Sequence, residues 1–503
     1  MNIWNFAHIF FVLIIHRALP TNVDRMQMYD QIFDGRIYRA HNTAISSIIA
    51  KAIEEKEKAS IKPDANVAGE IFVTPKEVHL SLAPDGLSYV VTWSTQESTK
   101  DKGSHVEYGK DPKSMFSRSM ANETKFIAPG NQKLTQYFHR AIIGPNLEPN
   151  MVYYYRVGND ITLSTLFFCT AFDGTAAWSP HIALYGDMGN VNAKSIPRLQ
   201  RETQAGMYDM IIHVGDLAYN MASDNGRVGN EFMEQIEPIA AYVPYMTCPG
   251  NHEWFDDINM TTYKAHFSMP EERSNDHVTS NLFFSFDVGP IHFISVSTEY
   301  LYNNSLVVKS ALIQHQWLIK DLERANLVET RSFRPWIILY GHRPMYCSTL
   351  KDTDHMCDEE TNPIKNGVPQ LGIPGLEKLL WKYNVDVAIW AHEHNYERLW
   401  PVYDGKVLNG SRDEPYTNPK APVHITTGSA GCQESFDPFI NTKKPYDAFR
   451  STDYGYTRLK AFNRTHLKFS QVSDDQNGAV VDEVWIIKTD PRKTFEELNM
   501  SVP

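Results

Sequence analysis

Five short apolar runs along this chain each end in a compact polar signature: Gly186-Asp187-Met188-Gly189, Gly215-Asp216-Leu217-Ala218-Tyr219, Gly250-Asn251-His252-Glu253, Gly341-His342-Arg343-Pro344 and Ala391-His392-Glu393-His394. Asp287-Val288-Gly289 echoes the pattern without adding to the donor set. The runs before them are His181 to Tyr185, Met210 to Val214, Tyr245 to Cys248, Trp336 to Tyr340 and Val385 to Trp390. They are rich in β-branched and aromatic residues, as buried strands are. Side chains just past the carboxyl ends of such strands converge on one sheet edge, where open α/β folds place their sites. A glycine before the donor is expected to let the backbone turn sharply there. The pattern thus constrains the chain to an α/β fold whose site is assembled from strand ends far apart in sequence.

The signatures bring Asp187, Asp216, Tyr219, Asn251, His342, His392 and His394, a donor set that fits two adjacent metal ions. Asp187, Asp216, Tyr219 and His394 offer anionic oxygens and one nitrogen, which suits a hard trivalent ion such as Fe(III). Tyrosine discriminates, because a phenol keeps its proton until about pH 10 and only a strongly Lewis-acidic ion displaces it in acid. Asp216, Asn251, His342 and His392 form a softer set suited to Zn, Fe or Mn in the divalent state, with Asp216 as the bridge. With a bridging hydroxide the formal charge is roughly +1, which attracts a phosphate ester. Such a pair lowers the pKa of bound water and can hold both attacking and ester oxygens of an in-line displacement.

These residues resemble the purple acid phosphatases, within the calcineurin-like superfamily of binuclear metallophosphoesterases. All seven positions of that family's ligand pattern are matched. The similarity runs from Pro75-Lys76-Glu77-Val78-His79-Leu80-Ser81 through Val481-Asp482-Glu483-Val484-Trp485, and Tyr396-Glu397-Arg398-Leu399-Trp400-Pro401 and Tyr416-Thr417-Asn418-Pro419 look like the long animal form. The resemblance implies an acid phosphatase hydrolysing small phosphate monoesters through metal-bound hydroxide. Asp216 would bridge Fe(III) and the divalent ion, His252 would be the outer-sphere group that protonates the leaving alkoxide, and Asn251 and His252 would meet the phosphate. Ala391 replaces the family's usual glycine and is expected to crowd its turn slightly. Plant members carry two adjacent histidines about ten residues after the counterpart of His342. Here the region reads Lys351-Asp352-Thr353-Asp354-His355, leaving His355 as the local imidazole for substrate. Plant relatives also imply a homodimer.

Several single residues have two readings. His213 is a satisfied core histidine or a group orienting Asp216. Asn190 contacts phosphate or caps the next helix. Glu253 and Glu393 hydrogen-bond their turns, and His292 is structural.

The chain has 503 residues and a net charge of −12, with no basic run, which excludes nucleic acid as the main partner. Phe6 to Ile15 is an apolar run of signal-peptide length, too short to span a bilayer, so no stable membrane insertion is expected. The other reading is a buried N-terminal segment. Sequons at Asn122, Asn259, Asn303, Asn409, Asn463 and Asn499 support a secreted or lysosomal glycoprotein. Among the 5 cysteines, Cys347 and Cys357 share a loop after His342 and are expected to pair, with Cys169, Cys248 and Cys432 as buried thiols.

The expected fold class is α/β, an N-terminal fibronectin-like β-sandwich followed by a two-sheet α/β metallophosphoesterase domain. The boundaries are a leader over 1–20, a helical arm over 21–67, the sandwich over 68–175, the catalytic domain over 176–415, its C-terminal part as the second sheet over 416–490, and a tail over 491–503. Helices are expected from Ser195 to Met207 and from His315 to Glu329. Three other functions use the same residues: a metal-dependent phosphodiesterase or nucleotidase, iron redox chemistry, and a non-catalytic phosphatase-like binding protein.

Overall fold

The computed structural model describes residues 72–490 except 258, 272–279, 303 and 351–359, together with 493–495 and 497. The leader, the arm, most of the tail, His355, Cys357 and the sequons Asn303 and Asn499 lie outside the described residues.

The first eight strands are β1 Lys76–Leu82, β2 Tyr89–Thr95, β3 His105–Gly109, β4 Ser117–Met120, β5 Asn122–Ile127, β6 Thr135–Ile143, β7 Val152–Gly158 and β8 Phe167–Thr170. They form two four-stranded antiparallel sheets, ordered β1-β2-β6-β5 and β4-β3-β7-β8. Trp93, Tyr89 and Tyr155 fill the core between them. β4 and β5 were not expected, because seven of their ten residues are polar and both strands are largely exposed, leaving no apolar run of strand length to read. The sandwich leans on the helix Arg227–Ala240, where Lys76 pairs with Glu234 and the Val78 amide donates to Glu237. Nearby, the Tyr155 hydroxyl donates to the Ala241 carbonyl.

The remaining strands are β9 His181–Tyr185, β10 Met210–Val214, β11 Tyr245–Cys248, β12 Phe284–Val288, β13 Ile291–Ser295, β14 Trp336–Tyr340, the hairpin β15 Gly367–Val368 and β16 Ile373–Pro374, β17 Val387–Trp390, β18 Tyr396–Leu399, the hairpin β19 Val402–Tyr403 and β20 Lys406–Val407, β21 Val423–Thr427, β22 Asp447–Ser451, β23 Gly455–Ala461, β24 His466–Ser473 and β25 Ala479–Ile487. One sheet runs β11-β10-β9-β23-β24-β25 and the other β12-β13-β14-β17-β21-β18-β22. This corrects the expectation that residues 416–490 build the second sheet. β23 pairs antiparallel with β9 in the first sheet, whereas β21 pairs parallel with β17 in the second. The parallel strands β9, β10, β11 and β14, β17, β21 aim their carboxyl ends at a common edge. There the Gly186 amide of one sheet donates to the Thr427 carbonyl of the other at 2.9 Å.

The second expected helix starts earlier, spanning Asn304–Ala325, and stops before a separate turn at Val328–Phe333. Asn326 ends it by donating its side-chain amide to the carbonyls of Leu322 and Tyr383. The Asp287-Val288-Gly289 echo is the end of β12 and the start of its hairpin turn to β13, with Gly289 at φ +55°.

Behind that hairpin, His292 places Nδ1 2.7 Å from Asp287 and Nε2 2.9 Å from Asp321, and Arg334 and Arg324 flank the two carboxylates. Burial alone would lower the imidazole pKa, but Asp321 and Asp287 outweigh it and raise it to about 9. A raised folded-state pKa contributes its full stability below the unfolded value and loses it as pH climbs through the folded value. The stability advantage of the natural chain over His292→Gln is therefore expected to shrink by roughly 2 to 3 kcal/mol between pH 6 and pH 10. Thermal midpoints of the two proteins across that range check this, and a constant difference would contradict it.

Candidate metal centre

Asp187 follows β9, Asp216 and Tyr219 follow β10, and Asn251 follows β11. His342 follows β14, and His392 and His394 follow β17. The sharp turns at these ends are taken by the donors themselves: φ is +57° at Asp187, +50° at Asp216, +56° at Tyr219 and +71° at His392. Non-glycine residues in this region store backbone strain, which concentrates at functional sites. Of the glycines preceding a donor, only Gly215 has a positive φ, at +80°. Gly250 serves close approach instead, since a Cβ there would lie 2.2 Å from Asp216 Oδ1.

The seven donors meet in two linked groups. In the first, the Tyr219 hydroxyl lies 2.6 Å from His394 Nε2 and 3.3 Å from Asp187 Oδ1. His394 donates Nδ1–H to the Ser435 carbonyl at 2.8 Å, which turns the Nε2 lone pair toward Asp187 and Tyr219. In the second, His342 Nε2 is 3.0 Å from both Asp216 Oδ2 and Asn251 Oδ1. Its Nδ1–H donates to the Val214 carbonyl at 2.9 Å. Donor atoms of Asp216, His342 and His392 lie within 4.8 Å of one another. The His392 amide donates to Asp187 Oδ2 at 2.8 Å and joins the two groups.

The electrostatics suit cations. Burial and the neighbouring Asp187 push the Tyr219 hydroxyl well above its ordinary pKa, so only a strongly charged ion would convert it to phenolate. Burial disfavours a charged His342, yet Asp216 and Asp187 raise its pKa to about 9, a measure of how strongly the carboxylates favour positive charge there. Oriented imidazoles, buried carboxylates and one phenol therefore fit a pair of metal ions.

His252 sits at the mouth with its ring 4.2 Å from that of Tyr219. Its Nδ1 bonds Asn220 Oδ1 at 2.9 Å, and its Nε2 lies 3.9 Å from Asp216 and 3.6 Å from Glu434. Burial opposes the charged ring, but Asp216 and Glu434 prevail and raise its pKa to about 9. Asn220 and Glu434 were not singled out from sequence. Asn220 directly follows Tyr219, and Glu434 follows β21 through Gly428-Ser429-Ala430-Gly431, another strand end with glycines. Arg343 was likewise unassigned; buried against Glu299 at 2.9 Å, it reaches His392 Nε2 at 3.0 Å. Asp437 accepts the His394 amide at 2.8 Å.

Other candidates resolve differently. His213 lies in the core, bonding the Tyr245 hydroxyl at 2.8 Å through Nδ1 and packing on Tyr185, but its buried Nε2 has no hydrogen-bond partner among the described residues, so it is only half satisfied. Asn190 does not cap the next helix, Ile196–Gln204; its side-chain amide donates to Glu231 at 3.2 Å. Glu393 is buried beside the donors. Cys347 is disulfide-bonded, and Cys169, Cys248 and Cys432 are buried free thiols, with Cys432 Sγ 3.5 Å from His394 Nδ1. Asn122, Asn259 and Asn463 are exposed and Asn409 is half-buried.

Two α/β sheets presenting acidic, amide and imidazole donors on adjoining strand ends define a metallophosphoesterase fold. Residues 75–171 match the purple acid phosphatase N-terminal domain, 180–396 the calcineurin-like phosphoesterases and 421–483 the iron/zinc purple acid phosphatase-like protein C domain. The chain is 50% identical to acid phosphatase type 7 of Danio rerio over 420 residues, covering 83% of this chain and 92% of that one. It is 46% identical to acid phosphatase type 7 of Homo sapiens over 425 residues, 84% of this chain and 92% of the relative. The fold is also that of the purple acid phosphatase PPD1 from yellow lupin seeds, with TM-score 0.68 and 23% identity over 85% of this chain and 76% of that one. The chain belongs to the purple acid phosphatase family, whose members are binuclear metal enzymes.

Proposed function

We propose that this chain is an acid phosphatase that hydrolyses small phosphate monoesters at a centre of Fe(III) and a divalent Zn, Fe or Mn ion, and that it works as a secreted or lysosomal glycoprotein. The observation that supports the reading is the meeting of Asp187, Tyr219 and His394 beside Asp216, Asn251, His342 and His392, with His252 at the mouth. Asp187, Asp216, Tyr219 and His394 would hold the trivalent ion, and Asp216, Asn251, His342 and His392 the divalent one. When bound, such ions supply Lewis acidity and water of lowered pKa.

The chain's own residues do the rest. His252 donates Nδ1–H to Asn220 Oδ1, and as an imidazolium, the form that Asp216 and Glu434 favour, it carries a second proton on Nε2 that it can give to a departing ester oxygen. Asp216 accepts the His252 amide at 2.9 Å, which ties that acid to the metal-binding turn. A tyrosinate on Fe(III) absorbs visible light, so the purified protein is expected to be coloured and Tyr219→Phe colourless. An iron-free, colourless yet fully active preparation would overturn the metal assignment. Faster turnover of bis-esters than of monoesters would overturn the substrate class.

A further inference from the structure

The carboxylate of Glu253 has no place among the donors, yet it sits at the junction of two donor-bearing turns. Oε2 accepts the amides of Asp216 at 2.9 Å and Gly250 at 2.8 Å, and Oε1 accepts the amide of Leu217 at 2.9 Å. Glu253 is 3% exposed, so water does not compete for these bonds. The amides belong to the turn after β10, which carries Asp216, and the turn after β11, which carries Asn251.

Three N–H donors on two oxygens require a carboxylate. A glutamine amide would turn its own NH2 group toward at least one of those donors, leaving a buried donor facing another. The clamped turns are also in contact, since Gly250 leaves no room for a Cβ against Asp216. Asp216 itself is held at a strained φ of +50°. By contrast, Asp187 and Tyr219 receive no bond from Glu253, and the turn of His394 is held by Asp437 and Ser435.

We infer that Glu253 is a positioning residue that fixes the Asp216 carboxylate relative to the Asn251 amide and thereby sets the affinity of the centre for its divalent ion. The inference rests on the two-ion reading above. Groups that orient metal ligands typically change metal affinity by about 10- to 100-fold when replaced.

The test uses the full chain, its Glu253→Gln and Glu253→Asp variants, Zn²⁺ titration against a metal buffer, elemental analysis, the visible band and thermal unfolding without added metal. Glu253→Gln is expected to weaken Zn²⁺ binding about 10- to 100-fold while the band keeps its position. Glu253→Asp keeps the charge but reaches fewer amides, and it is expected to fall between the two. Zn²⁺ affinity unchanged in both variants would overturn the inference. So would parallel loss of band, Zn²⁺ and thermal midpoint, the signature of general destabilisation. Should Glu253→Gln not fold, Glu253→Asp decides alone: a weaker Zn²⁺ affinity with an unmoved band supports the inference, and natural affinity refutes it. A natural protein that binds no metal would instead sink the two-ion reading, so the two failures are distinguishable.

Discussion

Replacing Asp216 with asparagine is expected to lower kcat/KM for a phosphate monoester by about a thousandfold or more, or roughly 4 kcal/mol of transition-state stabilisation. Both carboxylate oxygens are committed: Oδ1 accepts the His252 amide at 2.9 Å, and Oδ2 lies 3.0 Å from His342 Nε2. An amide nitrogen in the first position would face another donor. In the second it would confront the imidazole lone pair meant for metal. The substitution also removes a negative charge from the one residue common to both proposed ligand sets, so both ions are expected to leave together. Steady-state kinetics with parallel metal analysis check this, and a variant retaining two ions and activity within tenfold of the natural protein would remove Asp216 from the bridging position.

The strand ends were legible because a buried parallel strand must be nearly continuous in apolar residues, and the polar signature that stops it stands out. β9, β10, β11 and β14 begin and end where the sequence places them. β17 starts two residues late, at Val387, because Asp386 turns aside to accept the Ile337 amide and pair with Lys488. Sheet membership of the C-terminal strands was not legible. Whether β23 joins β9 or β21 depends on which backbone edges the folded domain leaves open, and side-chain periodicity carries no record of that. Among the supporting residues, Asp437 escaped, and Glu253 was read as bonding its own turn but not the Asp216 turn, for a related reason. Glu253 and Asp437 act through backbone amides, which every residue possesses, so no side-chain pattern marks their partners. Arg343 and Glu299, 44 positions apart, form a buried pair that only the tertiary fold creates. Chemistry carried by donor side chains could be read along the chain, whereas the scaffolding that orients them could not.

Ala391 was expected to crowd its turn slightly, and the structure shows where the space comes from. A Cβ at Gly186 would lie 2.4 Å from the Ala391 methyl and 3.0 Å from the Val214 carbonyl oxygen. Carbon atoms pack favourably at about 3.5 to 4.0 Å, so Gly186→Ala would demand a separation of an ångström or more between wholly buried elements. Those elements are the ends of β9 and β17, which carry Asp187 and His392 and are joined by the 2.8 Å bond between them. The substitution is expected to cost about 3 kcal/mol or more by overpacking and to abolish metal retention. Ala391→Gly alone removes one methyl and should cost about 1 kcal/mol. Combined with Gly186→Ala it restores the missing volume but leaves the Val214 carbonyl contact, so rescue should be partial, with a coupling of roughly 1 to 3 kcal/mol between the sites. Thermal unfolding and metal content of the two single variants and the double variant measure that coupling. If Gly186→Ala proves equally costly with and without the Ala391 methyl, the two strand ends are not held apart by that contact.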